Sequence, residues 1–273
     1  MTQLPPSLRE ATQLRHLDVR DNRLAALPSW LAKLPALESL SIGGNPLGGV
    51  PPEVTALTRL RGLYLHELAL ESVPDELGDL VELRTLDLGH NRLQSLPRSI
   101  GRLTALETLY LADNLLGELP AALRELASLQ YLGATDNQLT ALPAWIGELE
   151  QLVELRLYRN SLTALPETIG KLRRLRELHL HDNRITALPE AIGALAALRH
   201  LDVRDNALTA LPAGIARLAR LRVLDLRGNR LDELPESLGE LPTLEKLDLR
   251  WNRFTDPPPA CGRLRERGCV VLC

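Results

Sequence analysis

Cysteine is scarce. The chain has 273 residues and three cysteines, Cys261, Cys269 and Cys273, an odd number packed into the last 13 positions. That is no disulfide framework, and it points to a reducing, cytoplasmic compartment. The opening MTQLPPSLRE lacks the basic and apolar regions of a secretory leader. No apolar run approaches the roughly 20 residues of a membrane-spanning helix, so no membrane association is expected. Basic charge is also missing. The formal net charge is −3, whereas a general nucleic-acid binder needs a basic face, so nucleic acid is excluded as a partner.

What is abundant is leucine, at fixed spacing. The stretch Leu83 to Leu106, LRTLDLGHNRLQSLPRSIGRLTAL, carries leucine at places one, four, six and eleven. Asparagine is ninth and Leu-Pro fourteenth and fifteenth; an aliphatic residue, often followed by glycine, is eighteenth. Steps of 23 residues place all ten asparagines of the chain in one series, from Asn22 to Asn252, and only position 68 breaks it, with Leu68. A period of this length with this pattern is that of a leucine-rich solenoid. The predicted fold is a right-handed α/β solenoid. A parallel sheet lines its concave face, and short helical or irregular segments cover the convex face. It is read as one domain over 1–273: a half-coil 1–13, eleven coils 14–266 and a terminal half-coil 267–273.

The spacing has a physical meaning. In LxxLxL the last two leucines are two apart, the strand period, so they point inward while their neighbours point out. The asparagine side chain can satisfy turn amides and carbonyls in its own coil and the next. Proline then ends the turn. No coil can bury its leucines alone, so stability comes from stacking.

Irregularities stand at four places. GGNPLGGVPPEV around Asn45 predicts a looser loop. Leu68 is read as drift tolerated by a refolded loop; the sharper alternative is a broken ladder, in which case Leu68→Asn would stabilise the chain. Trp30 and Trp145 sit at the same outer-face place and are read as packing. In the tail, Val270 and Leu272 fall on the fourth and sixth places, so GCVVLC is expected to be a last strand with Cys269 and Cys273 on its outward side.

Leu142-Pro143, Ile146-Gly147, Leu152, Leu155, Leu157 and Asn160 carry the pattern LPxxIGxLxxLxxLxLxxNxL. It resembles the leucine-rich repeats of Scribble, the Ras suppressor proteins, the plant intracellular Ras-group proteins and many bacterial proteins. The resemblance covers nearly the whole chain. It implies a non-catalytic protein-binding scaffold, in some cases serving small-GTPase or phosphatase pathways, and no cofactor. A monomer is expected.

Places three, five, seven and eight face the concave side. All six histidines (His16, His66, His90, His179, His181, His200) and all four tyrosines (Tyr64, Tyr110, Tyr131, Tyr158) fall there. Such side chains give large contact area for little lost entropy. Read across strands ~4.8 Å apart, Glu177 lies beside His200, His179 beside Asp202, and Tyr158, His181 and Arg204 share a row. Arg156 and Arg159 border them. Asp202, Asp225 and Asp248 stack in one column and Arg204, Arg227 and Arg250 in the next. Diagonal pairing would relieve the like charges, leaving an arginine row for carboxylates or phosphates. Trp251 is the one tryptophan on this side. Lateral carboxylates are expected to favour charged His179 and His200. His179 and His181 stand about 7 Å apart along the strand, so no closed metal-ligand set is expected. A face without serine or cysteine beside a histidine argues against nucleophilic catalysis. The expected function is partner binding through this face, in intracellular signalling. A translocated bacterial effector, or a small-molecule, metal or enzymatic role centred on the histidines, is the alternative.

Overall fold

The computed structural model describes all residues, 1–273. They form two compact units, Met1–Asn137 and Gln138–Cys273. The first holds strands β1 (His16–Asp18), β2 (Ser39–Ser41), β3 (Gly62–Tyr64), β4 (Thr85–Asp87), β5 (Thr108–Tyr110) and β6 (Tyr131–Gly133). The second holds β7 (Glu154–Arg156), β8 (Glu177–His179), β9 (His200–Asp202), β10 (Val223–Asp225), β11 (Lys246–Asp248) and β12 (Val270–Leu272). Within each unit successive strands pair in parallel. The fourth-place leucines stand opposite one another, as in Leu40–Leu63–Leu86 and Leu178–Leu201–Leu224. The fold is an α/β leucine-rich-repeat solenoid.

The chain returns behind the strands mainly as five-residue 3-10 turns such as Arg98–Arg102 and Ala144–Glu148. Each starts after the motif proline, whose extended backbone (φ −66°, ψ 153° at Pro97) ends the preceding turn. True α-helix is confined to α1 (Pro52–Thr55), in the irregular second coil, and α2 (Pro259–Glu266) in the tail. The glycine after the eighteenth place has a packing reason. A Cβ on Gly147 would lie 2.4 Å from the carbonyl oxygen of Thr168 in the next turn, so the close stacking of turns requires its absence. Leucines of the repeat are almost all fully buried.

The asparagine ladder is present. Asn229 donates from Nδ2 to the carbonyls of Val203, Leu226 and Arg227 at 3.0, 3.0 and 3.2 Å, and accepts the Leu208 amide at 3.0 Å. Asn45, Asn114 and Asn206 repeat the same offsets. Each side chain thereby ties its own turn to the preceding coil.

At Leu68 the loop has refolded, as the drift reading expects. Leu68 is buried, 4% exposed. Glu67 and Ala69 both adopt left-handed backbone, at φ 56° and 53°. The turned amides of Leu68 and Leu70 both reach Asn91 Oδ1. The Leu47 amide, which an asparagine at 68 would have accepted, donates instead to the Asn45 carbonyl at 2.9 Å. No broken ladder remains for a Leu68→Asn change to repair, so the stabilisation that the alternative reading implied is withdrawn.

The tail strand forms, one residue out of step. Val271, not Val270, stands opposite Leu247, and Val270 is 56% exposed. The return segment here is an α-helix, and it spends one more residue between the proline and the strand than the 3-10 returns do. The slip turns Cys269 inward, where it is buried, while Cys273 is exposed; all three cysteines are free thiols.

Candidate partner-binding face

Strand alternation puts the fifth- and seventh-place side chains of one coil side by side on the outward face. In the second unit this joins aspartate to arginine within a single strand. Arg227 donates from Nε and Nη2 to Asp225 at 2.9 and 2.6 Å, and Arg250 to Asp248 at 2.9 and 2.7 Å. The expected diagonal pairing is therefore secondary, seen only as Arg227 Nε 3.5 Å from Asp248 Oδ2. An arginine fork reaches a carboxylate two residues away on its own strand without bending across to the next. Asp225 and Asp248 are consequently buried although they lie on the strand face, Asp248 completely, and Asp202 is buried as well. Arg227 and Arg250 are thus not a bare cationic row. Burial pushes the Asp248 carboxyl up, but the Arg250 guanidinium and amide pull it down further, and it ends below the ordinary carboxylate value. The Arg227 guanidinium is held more basic still by Asp225.

The histidine cluster also differs in its partners from the lateral reading. Register does place Glu177 beside His200 and His179 beside Asp202. Yet His179 Nε2 pairs with Glu177 of its own strand at 3.1 Å, and Asp202 is taken by His181, 3.0 Å from Nδ1. The His181 ring lies flat on Tyr158, centroids 4.2 Å apart and 10° from parallel. Stacked and paired, His181 is buried and supports the face more than it presents to it. Arg204 reaches Asp202 and Asp205 only at 3.9 Å, and Arg159 reaches Asp182 at 3.9 Å. Arg156 is held by Glu154. For His200 the expected upward shift is overturned. Burial, then the neighbouring His179, push it below its ordinary value, outweighing Asp202, Glu177 and Asp225.

Tyr64, Tyr110 and Tyr131 belong to the first unit. Tyr110 and Tyr131 meet at 4.8 Å with rings tilted 47°. Tyr64 lines a shallow depression with His16, Asp18, Arg20, Ser39 and Ser41.

One constraint on this face is not apparent from the leucine pattern. The eighth-place residue has left-handed backbone in every coil, from Asp21 (φ 54°) to Trp251 (φ 61°). Aspartate and glycine tolerate this region best, and they fill seven of the eleven places: Asp21, Gly44, Asp113, Asp136, Asp182, Asp205 and Gly228. That bias before each asparagine was the readable signal. Bulky Trp251 there is an outlier. It is also 70% exposed and stacks under Arg250, whose guanidinium carbon is 5.4 Å from the ring centre.

The third grouping is Glu177, His179 and His200, whose ligating atoms all lie within 4.8 Å of one another. The sequence reading considered His179 with His181 and missed this set, because its third member arrives from the next strand.

Family models agree with this architecture. The leucine-rich repeat region model matches residues 68–180 and 163–224, and leucine-rich repeat models match 35–93, 196–254 and 13–34. The chain belongs to the leucine-rich-repeat family. It is similar to a leucine-rich-repeat protein of Leptospira interrogans, at 35% identity and TM-score 0.94, over 99% of this chain and 69% of that one. It resembles an internalin of Listeria monocytogenes at 26% identity and TM-score 0.73, over 97% and 88% of the two chains. The ectodomain of the Arabidopsis thaliana receptor kinase GASSHO1/SCHENGEN3, solved in complex with CASPARIAN STRIP INTEGRITY FACTOR 2, matches at 30% identity and TM-score 0.77. There the match covers 99% of this chain but 36% of the receptor ectodomain. A comparison with curated proteins found no match. No helix is long and apolar enough to cross a membrane.

Proposed function

We propose that this protein is a binding module, not an enzyme, that takes a protein or peptide partner against its strand face. The main contact area is assigned to β7 through β11 in the second unit. Trp251 carries the reading. A bulky residue in left-handed backbone costs of order 1–3 kcal/mol, and leaving most of an indole in water forgoes its burial. Both costs are met at one position, beside an arginine, on the face that the repeat leaves outward. Tryptophan, tyrosine and arginine are the side chains on which interfaces concentrate their energy. Trp251, Tyr158 and Arg204 supply all three. The leucine-rich fold commonly serves protein–protein interaction, and the similar plant receptor ectodomain was solved with a bound partner. Three free thiols suit a reducing, cytoplasmic setting.

Affinity capture from cell extract tests the reading, comparing wild type with Trp251→Ala and with Tyr158→Ala/Arg204→Ala. A partner retained by wild type and by Trp30→Ala, on the opposite face, should be lost from both strand-face variants. Equal retention by all four proteins would remove the site from this face.

A further inference from the structure

His200, like His16, differs from the other four histidines of the strand face. His66, His90, His179 and His181 each hold a carboxylate within 3.2 Å. His200 has no carboxylate of its own, and its ring meets only His179, edge to face, with centroids 4.9 Å apart. Glu177 is its register neighbour on β8, and Glu177 Oε2 already lies 3.1 Å from His179 Nε2. A zinc-class ion with bonds of ~2.0–2.1 Å sets tetrahedral ligands roughly 3.4 Å apart. Glu177 and His179 already stand at about that separation. With all three ligating atoms inside 4.8 Å of one another, no separation has to close by more than about 1.4 Å to reach that spacing, a distance that side-chain rotation can supply. The backbone is well pinned, because Leu178, between Glu177 and His179, and Leu201, next to His200, are fully buried. Ligands held on rigid strands need little reorganisation to bind.

We propose that Glu177, His179 and His200 form a binding site for a divalent transition-metal ion of the zinc class. Two imidazoles and one carboxylate suit such ions better than magnesium or calcium, which prefer oxygen alone. Three protein ligands on an open face leave a coordination position outward, for water or for a donor from a bound molecule. The surroundings admit a cation. Arg156, beside His179 in register, is held by Glu154, and Asp202, on the other side of His179, is buried with His181. His181 takes no part, since its ring is stacked on Tyr158 and paired with Asp202.

The test uses the full chain, stripped with a chelator and free of any partner, so its outcome is separate from whether the face binds protein. Co²⁺ titration followed by visible absorbance, with Zn²⁺ competition and calorimetry, should show one ion per chain. His179→Ala and His200→Ala should each weaken Zn²⁺ binding on the order of 100-fold or more, because losing even an outer-shell partner costs 10–100-fold. Glu177→Gln should weaken it as well, and His16→Ala, on β1, should not. In wild type, Zn²⁺ should shift the ring resonances of His179 and His200 and leave those of His16 in place; this reading needs no variant to fold. No bound ion overturns the proposal. So does equal binding by the His179→Ala/His200→Ala double variant, which would move the ion to other ligands such as the terminal thiols.

Discussion

Asn91 Oδ1 accepts two amides of the preceding coil, Leu68 at 3.1 Å and Leu70 at 3.0 Å. One carboxamide thus serves the turn in which the ladder asparagine is replaced, and the leucine that replaces it is buried.

Leu68→Asn should therefore destabilise the chain. It strips a buried leucine of ~1.5–3 kcal/mol of apolar burial, and the turn amides it could serve already have partners. Chemical denaturation should show a loss of about 1–3 kcal/mol. A gain would show that the loop relaxes back to the regular turn.

Asn229→Ala should cost about 3 kcal/mol, measured in the same way. It leaves the buried Leu208 amide and the carbonyls that Asn229 now serves without those bonds, and each buried unpaired group costs ~1–3 kcal/mol. A loss below 1 kcal/mol would mean that water enters the turn.

Acid should unfold the second unit through its aspartates. Asp248 and Asp202 both end below the ordinary value of 3.8, with burial raising each and the partners lowering it further. A carboxyl depressed in the fold stabilises above its unfolded value, and that contribution is lost as pH falls through the folded one. The aspartates' share of the stability should hold from pH 7 to about 5, and the unfolding midpoint should drop steeply below about 4. Asp248→Asn should lower stability at neutral pH and make the acid dependence shallower. An unchanged acid slope would place the acid-sensitive groups elsewhere.

His200 should titrate below 6.5, since burial and the adjacent His179 both disfavour its charged form. Stability should accordingly decline as pH falls below that value, because the unfolded chain takes up the proton first. His179→Asn should raise the midpoint part of the way while burial keeps it depressed. Ring-proton NMR reads both. A wild-type midpoint above 6.5 would mean that Glu177, Asp202 and Asp225 dominate, as the lateral reading first implied.

Spacing alone determined the repeat, the strand centres, the ladder and the outward places, because each is a local rule. Two-residue alternation points Leu86 and Leu88 inward wherever LxxLxL occurs, and a 23-residue step forces Leu178 opposite Leu201. Neighbours such as Glu177 and His200 were legible for the same reason. Which neighbour each side chain chose was not. Asp225 can meet Arg227 on its own strand or Arg250 on the next, and only bond lengths and burial decided for Arg227. His181 and His179 compete for Asp202, and the Tyr158 stack settled it by holding His181 in place. The refolded turn at Leu68 and the slipped strand at Val271 were likewise beyond the pattern. A missing asparagine or an extra helical residue leaves several backbone routes open, and the route taken is the one in which buried amides find partners.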